Sequence, residues 1–271
     1  MLSRKIVKLY LAIIVLYSVS FTAFADTIPN PCAGPSALLN LVDRPTVGDS
    51  ACAIPFKEAV LEAGYQYQWL THSAGYEQNF PEAELRIGLP ANNELSILLP
   101  NSIHQSKTSH SGSTATVLGL KHEIGYNRNW LGAAEIVITL PDGSSTFGSK
   151  GTGAALNGIV SYTINSAFNL TFMFGATTQT ESSDNGGQRF NSLNPDLILT
   201  YSGIDKWQLF AEVYGQSKTG PHENSGFNAD AGFLYLIKPN IEFDMEVGQR
   251  LSGNLNGFNH YIGTGFGILF S

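Results

Sequence analysis

The sequence has few cysteines, no basic cluster and, beyond its first 25 residues, no long apolar run. Its 271 residues include 15 Lys and Arg against 22 Asp and Glu. An acidic chain without a basic cluster binds nucleic acid poorly, so we expect no nucleic-acid partner. No later window approaches the roughly 18 consecutive apolar residues that a membrane-spanning helix needs. If the chain enters a membrane, it must therefore do so through strands.

The first 25 residues have the features of a cleavable secretory signal peptide. An apolar run follows a basic start, and polar residues within the run disfavour the alternative of a membrane anchor. The run ends in an A-x-A pattern at Ala23 and Ala25. Removing Arg4, Lys5 and Lys8 with this segment changes the formal net charge from −7 to −10.

From Ala59 onward, apolar and polar residues alternate with a period of two residues in twelve segments, as in strands with unlike faces. In one of them, Ile241, Phe243 and Met245 alternate with Glu242 and Asp244. Long connections lie near 70–79, 101–114, 141–153, 179–191, 215–226 and 251–259, and short ones lie between them near 90–93, 127–129, 165–168, 203–205 and 238–240. This sorting of loops by length is typical of an up-and-down meander in an outer membrane.

The pattern predicts an all-β fold, a transmembrane antiparallel up-and-down β-barrel of about 12 strands, with 10 or 14 as alternatives. A Greek-key sandwich has no reason to sort its loops by length. A Lys or Arg on the lipid face costs about 2–4 kcal/mol at the bilayer midplane, so the charged face must line the lumen. We therefore expect export to the outer membrane of a Gram-negative bacterium.

The same alternation identifies charged residues that are candidates for lining the lumen and setting its selectivity. They are Glu62, Glu84, Arg86, Lys121, Glu123, Glu135, Asp196, Glu212, Asp230, Glu242, Asp244, Glu246 and Arg250. Three of them, Glu242, Asp244 and Glu246, lie about 7 Å apart along one strand face. This acidic column either favours cations or simply hydrates the lumen and pairs with Arg86, Lys121 or Arg250.

Residues 26–56 precede the barrel of residues 57–271 and show no alternation. They contain five prolines and both cysteines, Cys32 and Cys52. In an exported chain such a pair predicts a disulfide, which would stabilise the loop by about 3 kcal/mol on the entropic estimate. We expect a prologue on the periplasmic side, and the sequence leaves open whether it enters the lumen as a plug or lies beneath it.

Catalytic and metal-binding patterns are absent from the sequence. There is no G-x-S-x-G elbow and no convincing grouping of Ser, His and an acid, so we expect no enzyme, with a barrel hydrolase as the least favoured alternative. The histidines in the long connections, His72, His104, His110 and His222, do not have metal-ligand spacing. We therefore expect neither a metal nor a cofactor.

Three stretches resemble one known family of outer-membrane proteins, the MetA-pathway of phenol degradation family. They are Leu118-Gly119-Leu120-Lys121-His122, the strand Val137-Ile138-Thr139-Leu140-Pro141-Asp142-Gly143, and residues 232–248 with Lys238-Pro239-Asn240 and Asp244. The resemblance covers roughly residues 60–270, although the family more often has Thr where Asp142 stands. It implies an outer-membrane location and passage of small organic molecules, and it assigns no catalytic residue.

The expected function is that of an outer-membrane pore or transporter with a narrow diffusion path for small organic solutes, including aromatic or hydrophobic ones. Twelve strands lie between the eight that leave room for side chains and the sixteen that leave an aqueous channel. The alternative is a non-conducting surface barrel for adhesion or structural anchoring. Expected partners are outer-membrane lipid and lipopolysaccharide, the barrel assembly machinery and a small-molecule solute. The oligomeric state stays open.

Overall fold

The computed structural model describes residues 30–71, 74–107 and 110–271, so the predicted signal peptide and His72 lie outside the described residues. The strands are β1 (Ala59–Leu70), β2 (Tyr76–Phe80), β3 (Glu84–Leu89), β4 (Asn93–Leu98), β5 (Ser102–Gln105), β6 (Ser111–Ser113), β7 (Val117–Tyr126), β8 (Trp130–Thr139), β9 (Gly153–Thr163), β10 (Phe168–Thr180), β11 (Arg189–Ile204), β12 (Trp207–Gln216), β13 (Gly226–Lys238), β14 (Ile241–Ser252) and β15 (Phe258–Phe270). A short helix, α1 (Leu38–Leu41), precedes them. No helix in the described residues is long and apolar enough to span a membrane.

The strands form one antiparallel sheet that closes on itself. β15 pairs with β14 on one side and with β1 on the other, where Phe270 lies opposite Ala59. Both β2 and β3 pair with β1, so they are two parts of one interrupted strand. In the same way, β4 and β5 together form the next strand, and β6 and β7 together form the one after it. The sheet is thus a barrel of twelve antiparallel strands, which confirms the predicted fold and strand number.

The first two connections that were expected to be long loops contain strands. Residues 70–79 include most of β2, and residues 101–114 include β5 and β6. These strands are rich in polar residues and lack apolar alternation, so the sequence pattern does not show them. They pair with β1 and with one another, and they extend the sheet on the side of the long connections.

The outer surface of the barrel is apolar and carries an aromatic belt near each end. Large side chains such as Leu156, Phe172 and Val247 are exposed there. Near the short turns the aromatic contacts are Trp130 with Tyr162, Phe168 with Tyr201, and Trp207 with Tyr235, and near the long connections they are Tyr67 with Trp69 and Trp69 with His260. Apolar bands flanked by aromatic girdles are what outer-membrane barrels present to lipid. The chain is therefore an outer-membrane protein that contacts membrane lipid.

Residues 30–56, called the plug from here on, lie inside the barrel. Of the two positions that the sequence left open, the structure shows the lumen. Leu38, Leu41 and Ile54 of the plug pack on inward-facing apolar residues of the wall, including Leu131 and Ile159. Burying this apolar surface stabilises the plug in its position at the short-turn end of the barrel.

The plug is closed at its base by the predicted disulfide. Cys32 and Cys52 are bonded, with their Cα atoms 5.5 Å apart. The loop between them carries α1 and then residues 43–49, which reach farthest into the lumen. The prediction of a disulfide in this segment is confirmed.

Candidate functional site

A buried ion cluster joins the plug to the wall. The Arg86 guanidinium lies 3.1 Å from Glu62, 2.7 Å from Glu94 and 3.2 Å from Asp43, and the Lys121 ammonium lies 3.2 Å from Asp43. Arg86, Glu62 and Glu94 have no exposed surface. Buried charges persist only when they are paired, so these contacts depend on one another. The cluster ties β1, β3, β4 and β7 to the plug.

Lumen carboxylates also accept hydrogen bonds from the backbone of the plug. The amides of Val47 and Gly48 donate to Glu212 at 3.0 and 2.7 Å, and the amide of Ile54 donates to Glu94 at 2.8 Å. Bonds to a charged acceptor are stronger than neutral ones and contribute about 1.5–3 kcal/mol each. They hold the plug against β4 on one side and against β12 on the other.

Arg44 lies where the plug crosses the lumen. Its guanidinium is 2.7 Å from Glu82 and 3.3 Å from Asp244, and its amide donates to Glu62 at 2.7 Å. Burial alone would lower the pKa of Arg44, but the carboxylates of Asp244 and Glu82 outweigh it and raise that pKa above its ordinary value. Arg44 therefore stays charged and links the plug to β14.

The two plug acids are easier to protonate than solvated aspartates. Burial raises the pKa of Asp43 to about 6, although Arg86 and Lys121 oppose the rise. Burial and the neighbouring Glu135 raise the pKa of Asp49 well above its usual range, again against Lys121. Protonation of the plug is thus accessible at mildly acidic pH.

The structure divides the acidic column of β14 into different environments. Asp244 pairs with Arg44 of the plug, whereas Glu246 lies 3.1 Å from the Tyr261 hydroxyl. Glu242 is fully buried and has no ion-pair partner among the described residues. The expected alternative, pairing with Arg86, Lys121 or Arg250, is wrong, because the basic partner comes from the plug.

All thirteen predicted residues take the lumen face by alternation, and twelve of them are buried in the lumen or line its cavities, Arg250 being the exception. Eleven are buried by the wall and plug: Glu62, Arg86, Lys121, Glu123, Glu135, Asp196, Glu212, Asp230, Glu242, Asp244 and Glu246. Glu84 lines both cavities on the long-loop side. Arg250 lies near the long-loop end of β14, where its guanidinium donates to the Gly253 carbonyl at 3.3 Å. It is therefore apart from the lumen cluster.

Sequence reasoning missed five charged residues that the structure places in the lumen: Asp43, Arg44, Asp49, Glu82 and Glu94. The signal for Glu94 was present, because Glu94 and Ser96 share one face of β4 and Leu95 between them lies on the other face. The three plug residues lie in a segment without alternation. No local pattern of the sequence could have placed them.

An acidic arc crosses four neighbouring strands on the far side of the lumen from Arg86. It consists of Asp196 on β11, Glu212 on β12, Asp230 on β13 and Glu246 on β14. The carboxyl groups of Asp196 and Glu212 are in contact, and Glu212 lies opposite Asp230 in the strand register. None of the four forms an ion pair with a described residue. The arc therefore brings four acidic groups together without a basic partner.

The plug leaves cavities on both of its sides. A cavity of about 550 Å³ and one of about 300 Å³ lie on the long-loop side, and one of about 270 Å³ lies on the short-turn side. Arg44, Pro45, Thr46 and Asp49 line both the largest cavity and the short-turn cavity. Hydroxyl and amide groups of β9 to β11, among them Ser161, Asn169, Thr171 and Thr200, complete the wall of the short-turn cavity. Only the plug loop separates the two compartments.

Solved structures of outer-membrane channels share this fold. The COG4313 outer membrane channel from Pseudomonas putida F1 superposes with a TM-score of 0.64 at 14% identity, covering 82% of this chain and 99% of its own. The NanC porin gives 0.52 at 14% identity, covering 79% and 99%. A KdgM porin in complex with disordered oligogalacturonate gives 0.53 at 9% identity, covering 79% and 99%. Identities this low show similarity of fold.

Sequence comparison places the chain in a family. No curated protein sequence matches it. The model of one family, described as the MetA-pathway of phenol degradation, matches residues 42–269, which include the inner part of the plug and nearly all of the barrel. The predicted resemblance is thereby confirmed. The chain belongs to the MetA-pathway of phenol degradation family.

Proposed function

We propose that the protein is a narrow channel through which small organic solutes cross the outer membrane of a Gram-negative bacterium. The observation that carries this proposal is the shared lining of the two compartments: Arg44, Pro45, Thr46 and Asp49 face a cavity on each side. A solute that moves past these four residues would pass from one compartment to the other. Lipopolysaccharide and the barrel assembly machinery are its proposed partners there.

The fold supports a channel more than it supports an enzyme. The solved structures that share the fold are described as a channel and as porins. In the lumen the carboxylates bind the plug, pair with basic side chains or line cavities. The hydroxyl groups of β9 to β11 lie along the wall of the short-turn cavity. We accordingly propose a transport role without catalysis.

Aromatic and apolar solutes are the proposed cargo that the family description suggests. The largest cavity offers them the side chains of Phe147, Phe258, Tyr214 and Tyr261 together with Val47 at the tip of the plug. The same wall contains charged and polar side chains, among them Arg44, Glu84 and Gln66, so it offers aromatic contacts together with hydrogen-bonding groups that can orient a solute. The cavity is on the side of the long connections, which face the exterior in barrels of this type.

Planar-bilayer recording of the purified protein tests the channel proposal. We expect discrete current steps, smaller than those of a wide porin because the plug fills much of the lumen. Liposome swelling with small sugars, compared with protein-free liposomes, provides an independent measure. A barrel that stays electrically silent and gives no swelling, even after its plug is loosened by substitution, would contradict the proposal and favour a surface barrel for adhesion or anchoring.

A further inference from the structure

Asp196 is a buried carboxylate without a hydrogen-bond donor. It is 3% exposed, and neither of its oxygens accepts a hydrogen bond from a described residue. It lines the cavity of about 300 Å³ on the long-loop side, close to Gly48 at the tip of the plug. A buried carboxylate that is left unpaired is costly, so a cationic group in this cavity would satisfy it.

The neighbours of Asp196 increase the demand for a cation. Its carboxyl group touches that of Glu212, which is another acceptor. Farther along the arc, the Tyr261 hydroxyl lies 2.8 Å from Asp230 and 3.1 Å from Glu246. One hydroxyl has one proton to donate, so it satisfies only one of those two carboxylates at a time.

The basic residues of the lumen are already occupied elsewhere. Arg86 and Lys121 are bound within the ion cluster of the plug, and Arg44 is bound between Glu82 and Asp244. No described basic side chain forms an ion pair with the acidic arc. A cationic group that enters the cavity from outside the chain would give this row of acids a partner.

The geometry of the arc favours an organic cation over a metal ion. Within the described residues, no group of three or more His, Cys, Asp or Glu side chains is close enough to hold a metal. The carboxylates instead follow one another across strands that are spaced about 4.8 Å apart. The same cavity is also lined by Asn157, Asn194 and Tyr214, which offer hydrogen-bonding groups to the rest of a polar solute. Ammonium groups on a flexible carbon chain can match such a row of separate charges.

We propose that the cavity beside Asp196 is a binding site for small organic solutes that carry ammonium groups, with Asp196 as the residue that receives the ammonium. This site deepens the proposed channel function, because it assigns the solute class that the lumen concentrates. Binding at the site can be measured without conduction, so failure of one proposal does not imply failure of the other.

Three four-carbon compounds of different charge test the site: putrescine, 1,4-butanediol and succinate. Each is titrated into the detergent-solubilised full-length protein in a calorimeter. We expect saturable binding of putrescine and no binding of the neutral or the anionic compound. Equal binding of putrescine and butanediol, or no binding of putrescine, would overturn the proposal without any variant being needed.

Substitution then locates the site. Asp196→Asn should weaken putrescine binding about tenfold, whereas Asp205→Asn, on the exposed turn between β11 and β12, should leave it unchanged. Putrescine binding that survives Asp196→Asn at full strength would place the amine elsewhere and overturn the assignment. Bilayer recording of the same preparations keeps the two proposals separate: a silent barrel that still binds putrescine contradicts only the channel, and a conducting barrel that does not bind it contradicts only this site.

Discussion

Replacing Arg86 by methionine should release the plug while leaving the barrel closed. Methionine keeps much of the side-chain length but removes the guanidinium that contacts Glu62, Glu94 and Asp43 and donates to the Leu41 carbonyl. Asp43 and Glu94 would then keep only Lys121 as an ionic partner, and Glu62 would lose its ionic partner. The β1–β15 pairing that closes the barrel does not involve Arg86, so the strands should stay assembled.

The size of the effect follows from the burial of the pair. Removing one partner from a buried ion pair costs about 3–5 kcal/mol, because the other charge stays buried and uncompensated. Arg86 is fully buried and its partner in the plug, Asp43, is buried as well, so this range applies to the pair that joins the wall to the plug. Since 1.4 kcal/mol corresponds to a factor of ten, the fraction of molecules with a displaced plug should rise roughly a hundredfold to a few thousandfold.

Hydrogen exchange measured by mass spectrometry reports this change directly. The amides of Val47, Gly48 and Ile54 are bonded to wall carboxylates, so peptides from residues 41–54 should exchange slowly in the native protein and much faster in Arg86→Met. Single-channel conductance should increase in parallel. Arg128→Met, in the exposed turn between β7 and β8, is the matched control. Unchanged exchange of the plug peptides in a folded Arg86→Met barrel would refute the view that the ion cluster holds the plug.

Three further perturbations act on the plug. Replacing both Cys32 and Cys52 by serine should remove about 3 kcal/mol of loop stabilisation and speed exchange of residues 30–56, and the same should follow from reductant added to the native protein. Because burial raises the pKa of Asp43 from 3.8 to about 6, its contribution to the plugged state is complete below pH 4 and is lost as pH rises through 6. Conductance should therefore fall between pH 7 and pH 5, and the fall should be smaller in Asp43→Asn, where Asp49 with its raised pKa still acts in the same direction. A rise on acidification would contradict the sign. A Cβ on Gly88 would lie 1.9 Å from the Pro55 carbonyl oxygen, so Gly88→Ala should shift the base of the plug and raise exchange at residues 53–56, whereas Gly158→Ala, which has open space, should not.

The barrel could be predicted from sequence because each of its main strands has one face toward lipid and the other toward the lumen. Ile241, Phe243 and Met245 face lipid while Glu242 and Asp244 face the lumen, and this contrast repeats in nearly every strand. Strands β2, β5 and β6 escaped notice because the sheet there extends into polar surroundings on both faces. Where the two faces meet the same solvent, alternation carries no information.

The plug could not be placed from sequence because its contacts join residues far apart in the chain. Asp43 meets Lys121 across 78 positions, and Arg44 meets Asp244 across 200. Alternation placed the wall charges on one strand face, yet their pairing depended on a segment without periodic pattern. The sequence left open whether Asp244 favours cations or pairs with a basic residue of the wall. In the structure it pairs with Arg44 and so anchors the plug.

The distance along the chain between the plug and its wall partners also constrains the order of assembly. The plug precedes every strand, yet Glu212 and Asp244 come more than 150 residues later. The plug can take its final position only when the last strands have been added. An assembly intermediate that lacks β12 to β15 would therefore carry an unseated N-terminal segment, and docking of that segment would report that the barrel is complete.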